Sequence, residues 1–204
     1  MTTDTARATP YPGYVAGPAQ PATLAMLLLI LTEGIFFGLL FTSYFYLLSG
    51  SSQWPQGGIK PEHLKIPSIE TAILLSSSLP MIWAERAIGR GRIIQMRLGF
   101  MLTLLMGTAF LALLGYEYAN LEFKASDNAY ASIFLLIISF HGTHVFVGLL
   151  MNIFVQVRSW FGHFDEHRHL AVQNVSWYWH FVDTVWIFIF LICYLTPHWY
   201  GPHA

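Results

Sequence analysis

Five ionisable side chains lie inside stretches of this sequence that are otherwise apolar: Glu33, His141, His144, His180 and Asp183. His141 and His144 stand three apart, as do His180 and Asp183, and on a helix that spacing brings both members to one face. In hydrocarbon such a face is tolerated only where it looks into protein or a water-lined path. Three kinds of chemistry fit these groups. Neutral imidazole is a common metal ligand, and His144 and His180 on neighbouring helices could hold a haem axially. Carboxylates and imidazoles together can also pass a proton or an ion. The third role is structural, with each group hydrogen-bonding a carbonyl or carboxylate across a helix contact. The spacing leaves all three open.

The elements that must position these groups are apolar runs long enough to cross a bilayer, which takes roughly 20 helical residues. Five are present, at about 22–48, 67–88, 98–118, 130–157 and 172–195. Residues are 55% hydrophobic and only 10% charged, and the mean hydropathy is +0.52. A soluble domain carries about a quarter charged residues, so these values predict an integral membrane protein. The fold expected is all-α, a single bundle of five transmembrane helices over 22–198. Residues 1–21, rich in Thr, Pro, Gly and Ala, are expected to be a flexible tail without the parts of a cleavable signal peptide. Residues 199–204 form a short C-terminal tail.

Glu33 falls some eleven residues into the first run, about 16 Å along a helix and close to the bilayer midplane. A bare carboxylate there would be very costly, so it is expected to be protonated, hydrogen-bonded or both, with a neighbouring helix or His144 as its partner and a proton-relay role the alternative. Gly34 and Gly38, four apart beside it, predict a close helix approach on that side. Glu70 and Glu117 lie near the outer ends of their spans and read as hydrated. Trp54, in the loop SSQWPQGGIKPEHLKIP, suits the membrane interface; Trp177, Trp179 and Trp186 suit either that belt or helix contacts.

Charge fixes the expected orientation. Arg7, Arg86, Arg90, Arg92, Arg97, Arg158 and Arg168 fall on one side of a five-span chain, and only Lys60, Lys65 and Lys124 on the other. The positive-inside rule then places the N-terminus inside and the C-terminus outside. A net charge of −1 gives no basic surface for nucleic acid. A single cysteine, Cys193, excludes an intramolecular disulfide and any cysteine-cluster metal site. The loop carrying His163, His167 and His169 reads as solvated, with metal binding the alternative. Arg158 ends the fourth span, where it can anchor that end or hold a lipid phosphate.

The segments TEGIFFGLLFTSYF, WPQGGIKP, IETAILLSSS, SFHGTHVFVGLL and WYWHFVDTVWIF, in this order and spacing, closely resemble subunit III of the haem-copper respiratory oxidases. The similarity runs from about Leu24 to Leu195. It implies an accessory subunit with no catalytic residue, haem, copper or other metal of its own, embedded beside a subunit I that holds haem and copper and pumps protons. Glu33 matches the family's membrane glutamate, known for reacting with a hydrophobic carbodiimide, and His144 the histidine paired with it. His141, His180 and Asp183 are then read as helix-packing groups. Arg158 matches an arginine associated with a bound phospholipid. The expected role is to stabilise subunit I, support rapid proton uptake at the inner surface, hold lipid and protect against turnover-linked inactivation, in a bacterial inner membrane.

Many relatives have seven spans, the first two forming a separate pair with a lipid-filled cleft, and this sequence begins at what would be their third. It is similar to the shorter form of bacterial quinol oxidases and some bacterial cytochrome oxidases, so a full cleft is expected only if a partner supplies the missing pair. The wording around Glu33 and WYWHFVD leans slightly toward the cytochrome c type, which does not choose the electron donor. Two readings of other classes compete: an independent haem-binding electron carrier using His144 and His180, and a stand-alone proton or ion carrier.

Overall fold

The computed structural model describes residues 21–61 and 63–200. The tails expected at 1–21 and 199–204 fall largely outside the described residues, as does Arg7. Five helices are long and apolar enough to cross a membrane: α1 (Pro21–Ser49), α2 (Lys65–Ile88), α3 (Ile93–Ala119), α4 (Ala129–Trp160) and α5 (Leu170–Ile189). A π-helical turn, Phe190–Leu195, and a last short helix α6, Thr196–Tyr200, prolong α5. No strand occurs among the described residues. The chain is all-α, as the hydropathy predicts.

Four of the helices form a closed unit. In it α2 packs on α3, α3 on α4, α4 on α5 and α5 back on α2, while α1 lies outside against α4 and α5. Small residues decide how closely these helices meet. A Cβ at Gly99 of α3 would come within 2.5 Å of the Pro80 carbonyl and 2.7 Å of Ala84 Cβ on α2. Added Cβ atoms at Gly107 and Gly148 would stand 2.6 and 3.0 Å from the Trp179 ring. These two glycines form a slot for a fully buried indole, and any larger residue at Gly107 must push it out. Gly34 and Gly38 do not mark a tight seam. A Cβ at Gly34 would meet only Phe181, at 3.8 Å, and one at Gly38 nothing within 4 Å, because this face of α1 is loosely covered.

The loop after α1 folds back into the bundle. Trp54 packs inside protein: it is 2% exposed, donates from Nε1 to Tyr44 Oη at 2.9 Å, and meets the Tyr44 and Tyr130 rings edge-on. Asn128 caps α4 by accepting from Ala131 N–H at 2.8 Å and donates to the Gln56 carbonyl at 3.0 Å, pinning the loop to the same helix end. The expectation that Glu70 and Glu117 are hydrated is overturned. Glu70 is fully buried with neither carboxyl oxygen hydrogen-bonded among the described residues, and buried Glu117 accepts from Tyr194 Oη at 3.0 Å. The helices extend past the apolar runs at this end, so an acid near a span's end is still enclosed by protein.

Candidate functional site

His144 is held by its own helix before it meets another. Its Nδ1 lies 2.7 Å from the Phe140 carbonyl one turn earlier, and a carbonyl only accepts, so Nδ1 carries a hydrogen. Its Nε2 lies 3.1 Å from Glu33 Oε2 on α1. With Nδ1 already protonated, a hydrogen bond across that gap contains one proton. It belongs either to the acid facing a neutral ring or to an imidazolium facing a carboxylate, and both forms are neutral as a pair. Moving that proton between the two groups therefore leaves no net charge in the membrane, whereas removing it from the pair leaves one. Phe37 and Phe140 flank the imidazole at 5.2 Å between ring centroids.

The pair lies at the rim of the bundle. The His144 side chain is 12% exposed and that of Glu33 31%, and both line a cavity of about 220 Å³ with Leu29, Val147, Met151 and Tyr178. This follows from the outlying position of α1, which covers α4 and α5 on one side only. An iron at His144 Nε2 would have to displace Glu33, and Nδ1 is already spent on Phe140. The one nitrogen of this residue left for an iron is thus held by Glu33.

The other sequence-singled residues fall into a separate set. His141 is fully buried and donates from Nε2 to the Val182 carbonyl at 3.2 Å, between the Phe110 and Trp186 rings. His180 and Asp183 meet on α5, with 3.9 Å between Nδ1 and Oδ2. Between them stands Ser78 of α2, whose hydroxyl donates to Asp183 Oδ2 and lies 3.2 Å from His180 Nδ1. Arg158 lies near the Phe154 and Phe164 rings, at 5.5 and 5.6 Å, and no ion pair links its guanidinium to an acid among the described residues. Arg97 is different: it donates to Ser159 Oγ and to the Ser159 carbonyl at 2.7 and 2.6 Å, tying α3 to α4.

The three loop histidines have separate partners. His163 Nδ1 meets the Arg158 carbonyl, His169 Nδ1 the Asp165 carbonyl, and His167 is exposed beside Glu166. Asp165 organises this loop by accepting from the Arg168 side chain and the His167 and Arg168 backbone N–H groups. The Arg168 guanidinium first, then the His167 N–H, hold its carboxyl below the usual carboxylate range.

Sequence reading missed a ladder between α2 and α5. Trp186 Nε1 donates to Thr71 Oγ1 at 3.0 Å, Trp179 Nε1 to Ser77 Oγ at 2.9 Å, and Ser176 Oγ to Glu85 at 2.6 Å. As α2 is ascended, its α5 partners descend, as antiparallel neighbours require. The signal was a match of spacings: Thr71 and Ser77 recur at nearly the interval of Trp179 and Trp186.

The family model for cytochrome c oxidase subunit III matches residues 6–200. Among similar proteins, cytochrome c oxidase subunit 3 of Myxine glutinosa is 37% identical over 182 residues, 86% of this chain and 68% of that protein. The protein of the same name from Drosophila melanogaster is 35% identical over an alignment of the same extent. That of Thermostichus vulcanus is 37% identical over 173 residues, covering 84% of this chain and 86% of its own length.

Proposed function

The chain belongs to the cytochrome c oxidase subunit III family, and from that premise we propose that it is an accessory subunit supporting proton uptake and lipid binding in a bacterial haem-copper oxidase. It is a multi-pass membrane protein that works in a complex with other oxidase subunits. The proposed partner is a subunit I carrying haem and copper, which this chain stabilises in the inner membrane with its own N-terminus inside and C-terminus outside. It supplies no redox centre and no catalytic residue. Its contribution is mechanical and protonic.

The observation that carries this reading is the Glu33–His144 bridge, one proton between two groups at mid-membrane depth, open on one side to a lateral cavity. The proton passes between Glu33 and His144 without changing the net charge of the pair, and the cavity is the side on which it is exchanged. Arg158 supports the lipid role. Its guanidinium stands at the basic end of α4 beside two aromatic rings, with N–H groups oriented by no acidic side chain among the described residues, and a phosphate fits it.

The test compares three variants in the assembled oxidase. Glu33→Ala and His144→Ala remove the bridge and are expected to slow proton uptake and shorten the working life of the enzyme. Glu33→Gln can donate an amide hydrogen to His144 Nε2, so it keeps the bridge and the assembly while holding no exchangeable acid proton. Slower uptake in Glu33→Gln with normal assembly supports the protonic role. If all three variants leave assembly, turnover and resistance to inactivation unchanged, the pair has no part in the function.

A further inference from the structure

The α5 surface between α1 and α2 forms a groove. Trp177, His180, Thr184, Ile187, Phe188 and Leu191 recur on one face of α5 at intervals of three and four, and each is exposed or half-exposed. One wall of the groove is α1, through Phe41 against Phe188 with ring centroids 6.4 Å apart and Gly34 beside Phe181. The other is α2, through Ser78 against His180. An apolar stripe of this kind suits lipid as well as protein. His180 does not.

The His180 side chain is 33% exposed and sits ten residues into α5, about 15 Å along the helix and close to mid-membrane depth. Its tautomer follows from its neighbours. Ser78 Oγ has one hydrogen and gives it to Asp183 Oδ2, so its contact with His180 uses a lone pair and puts the ring hydrogen on Nδ1. In the neutral ring Nε2 is then a bare acceptor, and it has no hydrogen bond among the described residues. Acyl chains offer no donor, whereas a protein helix does.

We infer that this groove receives a transmembrane helix of a neighbouring oxidase subunit, one that carries a hydrogen-bond donor (a hydroxyl, amide or indole) at the level of His180. Asp183 and Ser78 act behind the ring as positioning residues, fixing its tautomer and aim. The inference rests on the accessory-subunit reading given above and specifies the face by which the chain joins its complex.

The experiment places single cysteines at Thr184, in the groove, and at Leu105, which is 61% exposed on α3, the helix opposite α5 in the four-helix unit. Each is introduced into the oxidase complex, labelled with a photoactivated thiol-directed cross-linker, and the product is mapped by mass spectrometry. Cross-linking from Thr184 to a membrane helix of a neighbouring subunit, near a side chain that can donate, and none from Leu105, is the expected result. His180→Phe should weaken retention of the chain in the complex roughly three- to tenfold, the range for one intramembrane hydrogen bond. His180→Gln, which restores an acceptor, should bring it back to within about twofold of the parent. Only lipid adducts from Thr184, or protein adducts from Leu105 alone, would overturn the assigned face while leaving the accessory role standing. A chain that purifies without any oxidase subunit would overturn the functional reading itself.

Discussion

The seam that attaches α1 and the interior formed by α2–α5 use polar side chains in opposite ways. In the interior they join helices inside closely packed surroundings. Trp179 reaches Ser77, Asn152 reaches the Phe100 carbonyl at 3.1 Å, and Gln156 reaches the Arg97 carbonyl at 2.9 Å. In the α1 seam, Glu33 and His144 meet beside a cavity, with Gly38 of α1 facing open space. A proton can be exchanged only where something can reach it, so a loosely covered seam suits a titratable pair. The interior trades that access for rigidity.

Substitutions can separate the two regions. The largest expected effect is in the interior: Trp179→Ala empties the slot between Gly107 and Gly148 and removes the donor to Ser77 Oγ, which keeps its own bond to the Leu74 carbonyl, costing about 3–5 kcal/mol. Chemical or thermal unfolding in detergent measures it. Gly107→Val overfills the same slot and should cost about 1–3 kcal/mol by the same measurement. In the seam, Glu33→Ala should cost only about 1 kcal/mol of chain stability, the net worth of one hydrogen bond, while its effect on the assembled oxidase is larger. A loss of stability equal to that of Trp179→Ala would show that the seam is structural after all. Gly38→Leu, whose Cβ would meet no described atom within 4 Å, should change stability by less than about 0.5 kcal/mol.

The smallest effect lies outside both regions, at Asp165. Its carboxyl is held below its ordinary range, so it favours the folded loop at pH values above that range. The contribution is lost as the pH falls through the lowered value. Asp165→Asn should abolish this acid-side change in loop protection, as followed by hydrogen exchange, and leave the helices as they were.

Much of the fold was legible because hydropathy reports directly on burial in a bilayer. Five apolar runs give five helices whatever their neighbours are. The Glu33 and His144 partnership was one option at similar depth until the family resemblance singled it out, since spacing within one helix carries no information about which helix lies opposite. The hydrated reading of Glu70 and Glu117 failed for the same reason. Position along a span says how far a group is from water along the helix axis, and nothing about the protein around it. The seam expected at Gly34 and Gly38 also moved, because a pair of glycines permits close approach without supplying a partner to approach.

The amino-acid sequence by itself determined the membrane class, the number of helices and the set of ionisable groups that must find shelter among them. Only the tertiary structure decided which shelter each one found. Glu33 met His144 at an open rim, Asp183 met Ser78 and His180 at the side of a groove, and Glu70 was enclosed completely. Helix formation in a membrane is driven by local backbone hydrogen bonding and side-chain polarity, both readable in order along the chain. Pairing between helices depends on how small residues and bulky rings interlock across contacts far apart in sequence.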